Sequence, residues 1–243
     1  NEDLLYKMFG VNAELLIDHA WGAETCTMAD IKAYRPEASS ACSGQVLHCP
    51  YTAKKARLVV REMTEQMALD LVEKRSVTDQ VVLTVGYDRE NLTDGKAGGR
   101  PAGEITTDRY GRSVPKHAHG TVNLKTQTSS AKILVEAVLD LYDKIVRKDF
   151  LIRRITVGVN HVEDETAARG GQIYEQMDLF TDYAALQKEQ EEKEACLNRE
   201  RRLQEAMLDI RKKYGKNAIL KGANLMEGST AMDRNKQIGG HRA

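Results

Sequence analysis

Aromatic side chains, prolines and cysteines are all scarce in this sequence. Aromatics make up 5% of its 243 residues, there are four prolines and four cysteines, and Lys+Arg equals Asp+Glu at 36 each. The cysteines, Cys26, Cys42, Cys49 and Cys196, form no CxxC pair. That excludes a disulfide scaffold and reads as thiols kept reduced in a cytoplasm. Apolar runs are short, since Ile133 to Val135 and Ala137 to Leu139 are cut by Glu136 and Asp140. Nothing approaches the ~20 apolar residues a membrane-spanning helix needs. No charged-then-apolar leader opens the chain, and a start at Asn1 points to a piece of something longer. Apolar residues still reach 41%, too many for a wholly disordered chain. Catalytic signatures are missing as well. There is no GxSxG, no HExxH, no phosphate-cradling loop and no carboxylate cluster on strands to hold two Mg²⁺. Gly95, Gly98, Gly99 and Gly103 lack the strand-then-helix setting of a phosphate cradle.

The zero net charge conceals segregation along the chain. Residues 1–44 carry −4, residues 89–160 carry +5, residues 161–194 carry −7 and residues from 195 onward carry +6. Between 109 and 132 stand Arg109, Arg112, Lys116, Lys125 and Lys132, two histidines and no acid. Such a window is an electrostatic footprint for a polyanion.

The first 40 residues have the periodicity of short helices. Leu4, Leu5, Met8 and Phe9 make one stripe ended by Gly10, and Ala13, Leu16, Ile17 and Ala20 make another ended near Gly22. So few small helices bury little by themselves, which fits a domain cut at residues 1–42. From 43 to 160 the pattern is that of one α+β unit. Residues 43–49 read as a strand ended by Pro50, and Thr52 caps a helix striped by Ala56, Val59, Val60, Met63, Met67 and Leu71. Residues 79–88 are a β-branched strand in which Val81, Leu83, Val85 and Tyr87 alternate with Val82, Thr84 and Gly86. A long loop over 89–117 leads to a strand at 120–128. Ser129 or Ser130 then caps a helix from 131 to about 148, and 151–160 returns as a strand. The order β-α-β-β-α-β predicts a four-stranded sheet with two helices on one face. The other face holds Thr121, Asn123, Lys125, Gln127, Arg154, Thr156 and Asn160. It is either an ordinary solvated face or a polar, basic surface for a nucleic-acid backbone, and the acid-free window beside it favours the second.

Residues 161–181 read as an acidic linker, 182–214 as one long helix without Gly or Pro, and 215–243 as a flexible basic tail. The helix stripe, Leu186, Leu197, Leu203, Met207 and Ile210, is sparse, so this helix is exposed or docks on a partner. Within the linker stands Gln176-Met177-Asp178-Leu179-Phe180, an apolar pair without periodicity around it. That suits a peptide docking into a preformed pocket, or else a fold-back onto the parent domain. Cys42, His48, Cys49, His117 and His119 lack the paired spacing of a structural zinc site and read as strand and loop residues, so no metal site is expected. No acid or nucleophile pairs with His117 or His119 to make an active site.

The segments SGQVLHCPYTAKKARLVVREMTEQMALDL, VVLTVGYD, TDRYGRSVPKHAHGTVNLKTQTSS and IRRITVGVN together resemble the little-finger domain of Y-family translesion DNA polymerases of the UmuC/ImpB/MucB/SamB type. LLYKMFGVNAELLIDHAWG and DIKAYRPEASS resemble the end of that family's thumb, and YGKNAILKGAN and RNKQIGGHRA resemble C-terminal tails of Gram-positive members. The resemblance implies a sheet face that grips primer–template DNA through Arg109, Arg112, Lys116, Thr121, Asn123, Lys125, Arg154 and Thr156. It also implies that Gln176 to Phe180 is the peptide that binds the bacterial sliding clamp, with Met177 where the pattern Q-L-[SD]-L-F has Leu. The family's palm, with its Mg²⁺-binding carboxylates, has no counterpart here, and neither does the Gly-rich hairpin of the thumb. The resemblance therefore implies a cytoplasmic, non-polymerising C-terminal region with DNA and a clamp as partners and no cofactor of its own. The alternative is a non-catalytic adaptor that joins a partner protein to the clamp without touching DNA.

Overall fold

The computed structural model of the chain describes residues 1–23, 26–34, 39–93, 104–108, 111–168, 183–238 and 241–242. They fall into two units, Asn1–Ala38 and Ser39–Ala243. The first holds α1 (Glu2–Phe9), α2 (Asn12–Trp21) and α3 (Met28–Ala33). Gly10 and Gly22 end α1 and α2 at φ 58° and 74°, a conformation that suits glycine. Thr27 and Asp30 close a capping box on α3. Among this unit's described residues Ala13 is the buried apolar one, while Leu4, Phe9 and Trp21 are exposed.

The second unit begins with β1 (Ala41–Tyr51), α4 (Ala53–Glu73) and β2 (Ser76–Tyr87). After α5 (Glu90–Thr93), β3 (Ile105–Thr107) and β4 (Ser113–Pro115) come β5 (Ala118–Thr128), α6 (Ala131–Ile145) and β6 (Ile152–Asn160). The main strands run in the order β1-β6-β2-β5, every pair antiparallel, and short β7 (Glu163–Asp164) pairs with the start of β2. This is the α+β arrangement expected from the alternation. Thr52 caps α4, and Ser130 rather than Ser129 caps α6.

The core lies between one sheet face and two helices. Val81, Leu83 and Val85 of β2 and Ile155, Val157 and Val159 of β6 meet Val59, Val60 and Met63 of α4 and Leu134, Val138 and Tyr142 of α6. Tyr142 donates its buried hydroxyl to the carbonyl of Ala53 at 2.7 Å, tying α6 to the start of α4.

Three expectations differ from the structure. Pro50 does not end β1 but lies within it, because β1 is an edge strand whose ladder to β6 is interrupted between Val46 and Tyr51. An edge position with a register break spares proline the missing donor. The stretch 89–117 is not all loop, since β3 and β4 pair as a hairpin.

The C-terminal region differs most. The long helix is α8 (Tyr183–Tyr214), which follows α7 (Glu165–Ala168). Its second half docks on its own domain, burying Gln204 and Met207. The segment expected to be a flexible tail carries a 3₁₀ turn (Gly222–Leu225), α9 (Ala231–Arg234) and a minimal hairpin of β8 (Gln237–Ile238) and β9 (His241–Arg242). What anchors it is Glu62 of α4, a carboxylate only 3% exposed. Glu62 accepts from Asn224 Nδ2 at 3.2 Å, from the backbone N–H of Thr230 at 3.0 Å and from the Ser229 hydroxyl. Composition had no means of showing that partner. Farther along α8, Glu200 caps α6 from outside, accepting from Ser130 Oγ at 2.6 Å and from the backbone N–H of Lys132 at 3.0 Å. A carboxylate is favoured at a helix N-terminus.

Candidate nucleic-acid interface

On the sheet face away from α4 and α6, the register sets side chains in rows across the strands. One row is Gly44, Thr156, Thr84 and His119, and the next is Cys42, Gly158, Val82 and Thr121. Asn160, Gln80 and Asn123 form a third, and Val46, Arg154 and Gly86 a fourth. Rows lie ~6.8 Å apart along the strands and neighbours within a row ~4.8 Å apart. None of these row positions is a carboxylate. Six of the fourteen positions carry a hydroxyl or an amide, and Thr84 Oγ1 meets His119 Nδ1 at 2.9 Å. The face is shallow because Gly44, Gly86 and Gly158 stand on it. A Cβ on Gly86 would lie 3.2 Å from Arg154 Cβ, so that glycine makes room for the arginine. Cβ atoms on Gly44 and Gly158 would meet nothing closer than 3.5 Å.

At one end the face runs into an open groove of about 900 Å³. Arg89, Arg112, Arg153, Arg154 and His117 line it, with Asp88 and Glu90 the carboxylates among its walls. Arg153 Nε lies 3.5 Å from Asp88 Oδ2. Arg154 is exposed and forms no ion pair among the described residues.

The residues expected from the sequence divide into several groups. Thr121, Asn123, Arg154 and Thr156 do share the open face, together with Asn160. Arg112 and Lys116 stand on the β3–β4 hairpin, not on the sheet. They are also not free of acid. Arg112 pairs with Asp108 at 2.7 Å and Lys116 with Glu104 at 2.7 Å. The window from 109 to 132 contains no carboxylate, but the hairpin brings up two from just before it. Lys125 and Gln127 lie where the β2–β5 ladder breaks, between the Gln80–Asn123 and Thr78–Thr128 pairs. There they line a second groove with Asp79, Glu165 and Arg201, and Gln127 is half-buried. The alternation of exposed residues runs unbroken from His119 to Lys125, and the bulge beyond it takes Gln127 out of that pattern. Arg109 and the stretch Gln176, Met177, Asp178, Leu179 and Phe180 lie outside the described residues.

The sequence reading missed Gln80, Thr84, His119, Arg89 and Arg153. The first two were legible, since β2 alternates and its non-core set must face the other way. The arginines were not, because the hairpin and the strand ends that gather them are distant in sequence. Among the described residues no group of three or more His, Cys, Asp or Glu side chains converges on a metal-sized site. No described helix is long and apolar enough to cross a membrane.

The sequence pattern of the impB/mucB/samB family C-terminal domain matches residues 39–174, more than half of the chain. The chain belongs to the impB/mucB/samB family. The matched region takes in the whole sheet and both core helices, and α8 lies beyond it. A curated relative, the "Putative UV-damage repair protein UvrX" of Bacillus subtilis (strain 168), is 24% identical over 99% of this chain. The chain spans 47%, about half, of that relative's length. Among solved structures, the little-finger domain of PolIV in complex with the beta-clamp processivity factor is 7% identical. That likeness covers 59% of this chain and 100% of the other, with a TM-score of 0.34. The insertion ternary complex of Dbh DNA polymerase is 11% identical over 66% of this chain and 38% of the other, with a TM-score of 0.32.

Proposed function

We propose that this impB/mucB/samB family chain is the DNA-gripping and clamp-recruiting C-terminal region of a translesion DNA polymerase of the cytoplasm. The observation that carries the reading is the open sheet face. Its rows hold hydroxyls, amides and Arg154 without a carboxylate, and it leads into a groove lined by arginines. Uncharged donors and arginines together suit phosphate and sugar contacts, which position a protein on a duplex without reading its bases. The UV-damage repair function in the relative's name fits a role at damaged template. The polymerase chemistry itself belongs to the other half of such a protein.

The test is fluorescence anisotropy of the full chain with a primer–template duplex over a range of salt. One phosphate for each of Arg89, Arg112, Arg153 and Arg154 gives a slope of log K against log salt of about −3 to −4. Arg154→Ala makes that slope shallower by about 0.9, equally for every sequence. Absence of binding overturns the reading and favours the adaptor, and selectivity for one sequence overturns it as well.

Clamp recruitment rests on Gln176 to Phe180. Leu179 and Phe180 fill a pocket on a sliding clamp while Gln176 fixes the register. Docking one short peptide gives an affinity of about −8 kcal/mol, in the micromolar range. Calorimetry with the cognate clamp checks this, and equal binding by Leu179→Ala/Phe180→Ala removes the motif from the account.

A further inference from the structure

Across the open face, three amide side chains are joined in one direction. Gln80 of β2 stands in register between Asn160 of β6 and Asn123 of β5. Asn160 Nδ2 donates to Gln80 Oε1 at 2.7 Å, and Gln80 Nε2 donates to Asn123 Oδ1 at 2.8 Å. The Asn160 end is anchored in turn, because the buried Thr78 hydroxyl donates to its backbone carbonyl. Each amide has one acceptor oxygen and one two-donor nitrogen. A relay running from Asn160 to Asn123 therefore uses the Asn123 oxygen and leaves its NH₂ group for another acceptor. Asn123 is exposed, and neighbours Thr121 two residues along the same strand.

We infer that Gln80 is a positioning residue that holds the Asn123 amide with its N–H donors toward a backbone phosphate of bound DNA. The inference rests on the sheet-face reading above. A free asparagine turns either its oxygen or its nitrogen outward, and an outward oxygen repels a phosphate. Fixing the rotor removes both the wrong orientation and the entropy of choosing the right one. Bonded amides also strengthen one another in a row, so the donor at its end is better than an isolated one. No charge is involved, so Asn123 adds affinity without adding a released counterion. That distinguishes it from Arg154.

The experiment is a double-mutant cycle on DNA affinity in the full chain, with melting temperature followed in parallel. Gln80→Met preserves length and removes both hydrogen bonds. Asn123→Ala weakens binding by about two- to tenfold, the worth of one ordinary hydrogen bond, with the salt slope unchanged. Gln80→Met weakens it by a similar or smaller factor, and adds nothing further in the Asn123→Ala background. Asn160→Ala, one link farther back, has a smaller effect that also disappears in that background. Additive losses from Gln80→Met and Asn123→Ala overturn the inference, as does an Asn123→Ala protein that binds like wild type. In either case Arg154→Ala still tests the sheet face independently. A wild-type chain that binds no duplex overturns both.

Discussion

Asp108 holds Arg112 twice, through its guanidinium at 2.7 Å and through its backbone N–H at 3.0 Å. The most basic-looking turn of the sequence is therefore partly neutralised before any polyanion arrives. A phosphate reaching this arginine must compete with a carboxylate already in place. Asp108→Asn keeps an acceptor for the backbone N–H and releases the guanidinium. An exposed ion pair is worth about 0.2–1 kcal/mol, so duplex affinity should rise by a factor of about 1.4 to 5 at low salt. Anisotropy with the variant measures it, and unchanged or weaker binding removes Arg112 from the interface.

Gly158 offers a substitution whose two effects have opposite signs. Its Cβ would lie 3.6 Å from the Ala41 carbonyl oxygen and from Cys42 Cβ, ordinary contact, and its φ is not among the positive ones. Valine suits a strand better than glycine by up to about 1 kcal/mol. Gly158→Val should keep or raise the melting temperature while weakening duplex binding by about tenfold, since the new methyls stand on the floor of the face. A variant that is stable and binds normally would show that DNA does not come this close.

Glu62 carries the attachment of the C-terminal segment. Besides its three hydrogen bonds it lies near the guanidinium of Arg234, whose pKa burial pulls down and Glu62 pushes back up. Removing one partner of such a buried polar group leaves the others uncompensated. Glu62→Ala should cost about 3–5 kcal/mol in denaturant unfolding, and Glu62→Gln less. A loss under about 1 kcal/mol would mean that the segment hardly depends on this anchor.

Burial pushes the phenols of Tyr51, Tyr87 and Tyr142 above the ordinary tyrosine value. A group whose pKa is higher folded than unfolded contributes fully below its unfolded value and loses that contribution as pH rises toward the folded one. Stability should therefore fall above pH about 10, the unfolded tyrosine value. Tyr142→Phe forfeits the bond to Ala53, about 1 kcal/mol at neutral pH. Its alkaline decline should be shallower by up to about 1.4 kcal/mol per pH unit. Parallel declines for the two proteins would show Tyr142 to be ionisable in the folded state.

The sheet was legible because β2 and β6 state their burial in alternate residues. Val81, Leu83 and Val85 could only face inward, and Thr84 only outward. Pro50 misled because nothing in the sequence marks β1 as an edge strand. Gln127 misled because a bulge shifts a period-two pattern without any change in composition. The acid-free window failed for a similar reason, since Asp108 and Glu104 lie just outside it in sequence and directly opposite it in the hairpin. The C-terminal segment looked flexible because its glycines and lysines are local facts, whereas Glu62 lies more than 160 residues away from the groups it holds. A window can report periodicity, but not which distant carboxylate will be waiting.

The grip of α8 and the C-terminal segment on the same unit as the sheet bears on what a protease cut would do. Ala168 ends α7 and Tyr183 begins α8, and both helices belong to that unit. Glu62, Glu200 and Arg211, which bonds Gln66 at 2.9 Å, join the two sides independently of the peptide link between those helices. A single cleavage there yields two polypeptides that stay together as one particle, migrating undivided on a native gel and separating only in detergent.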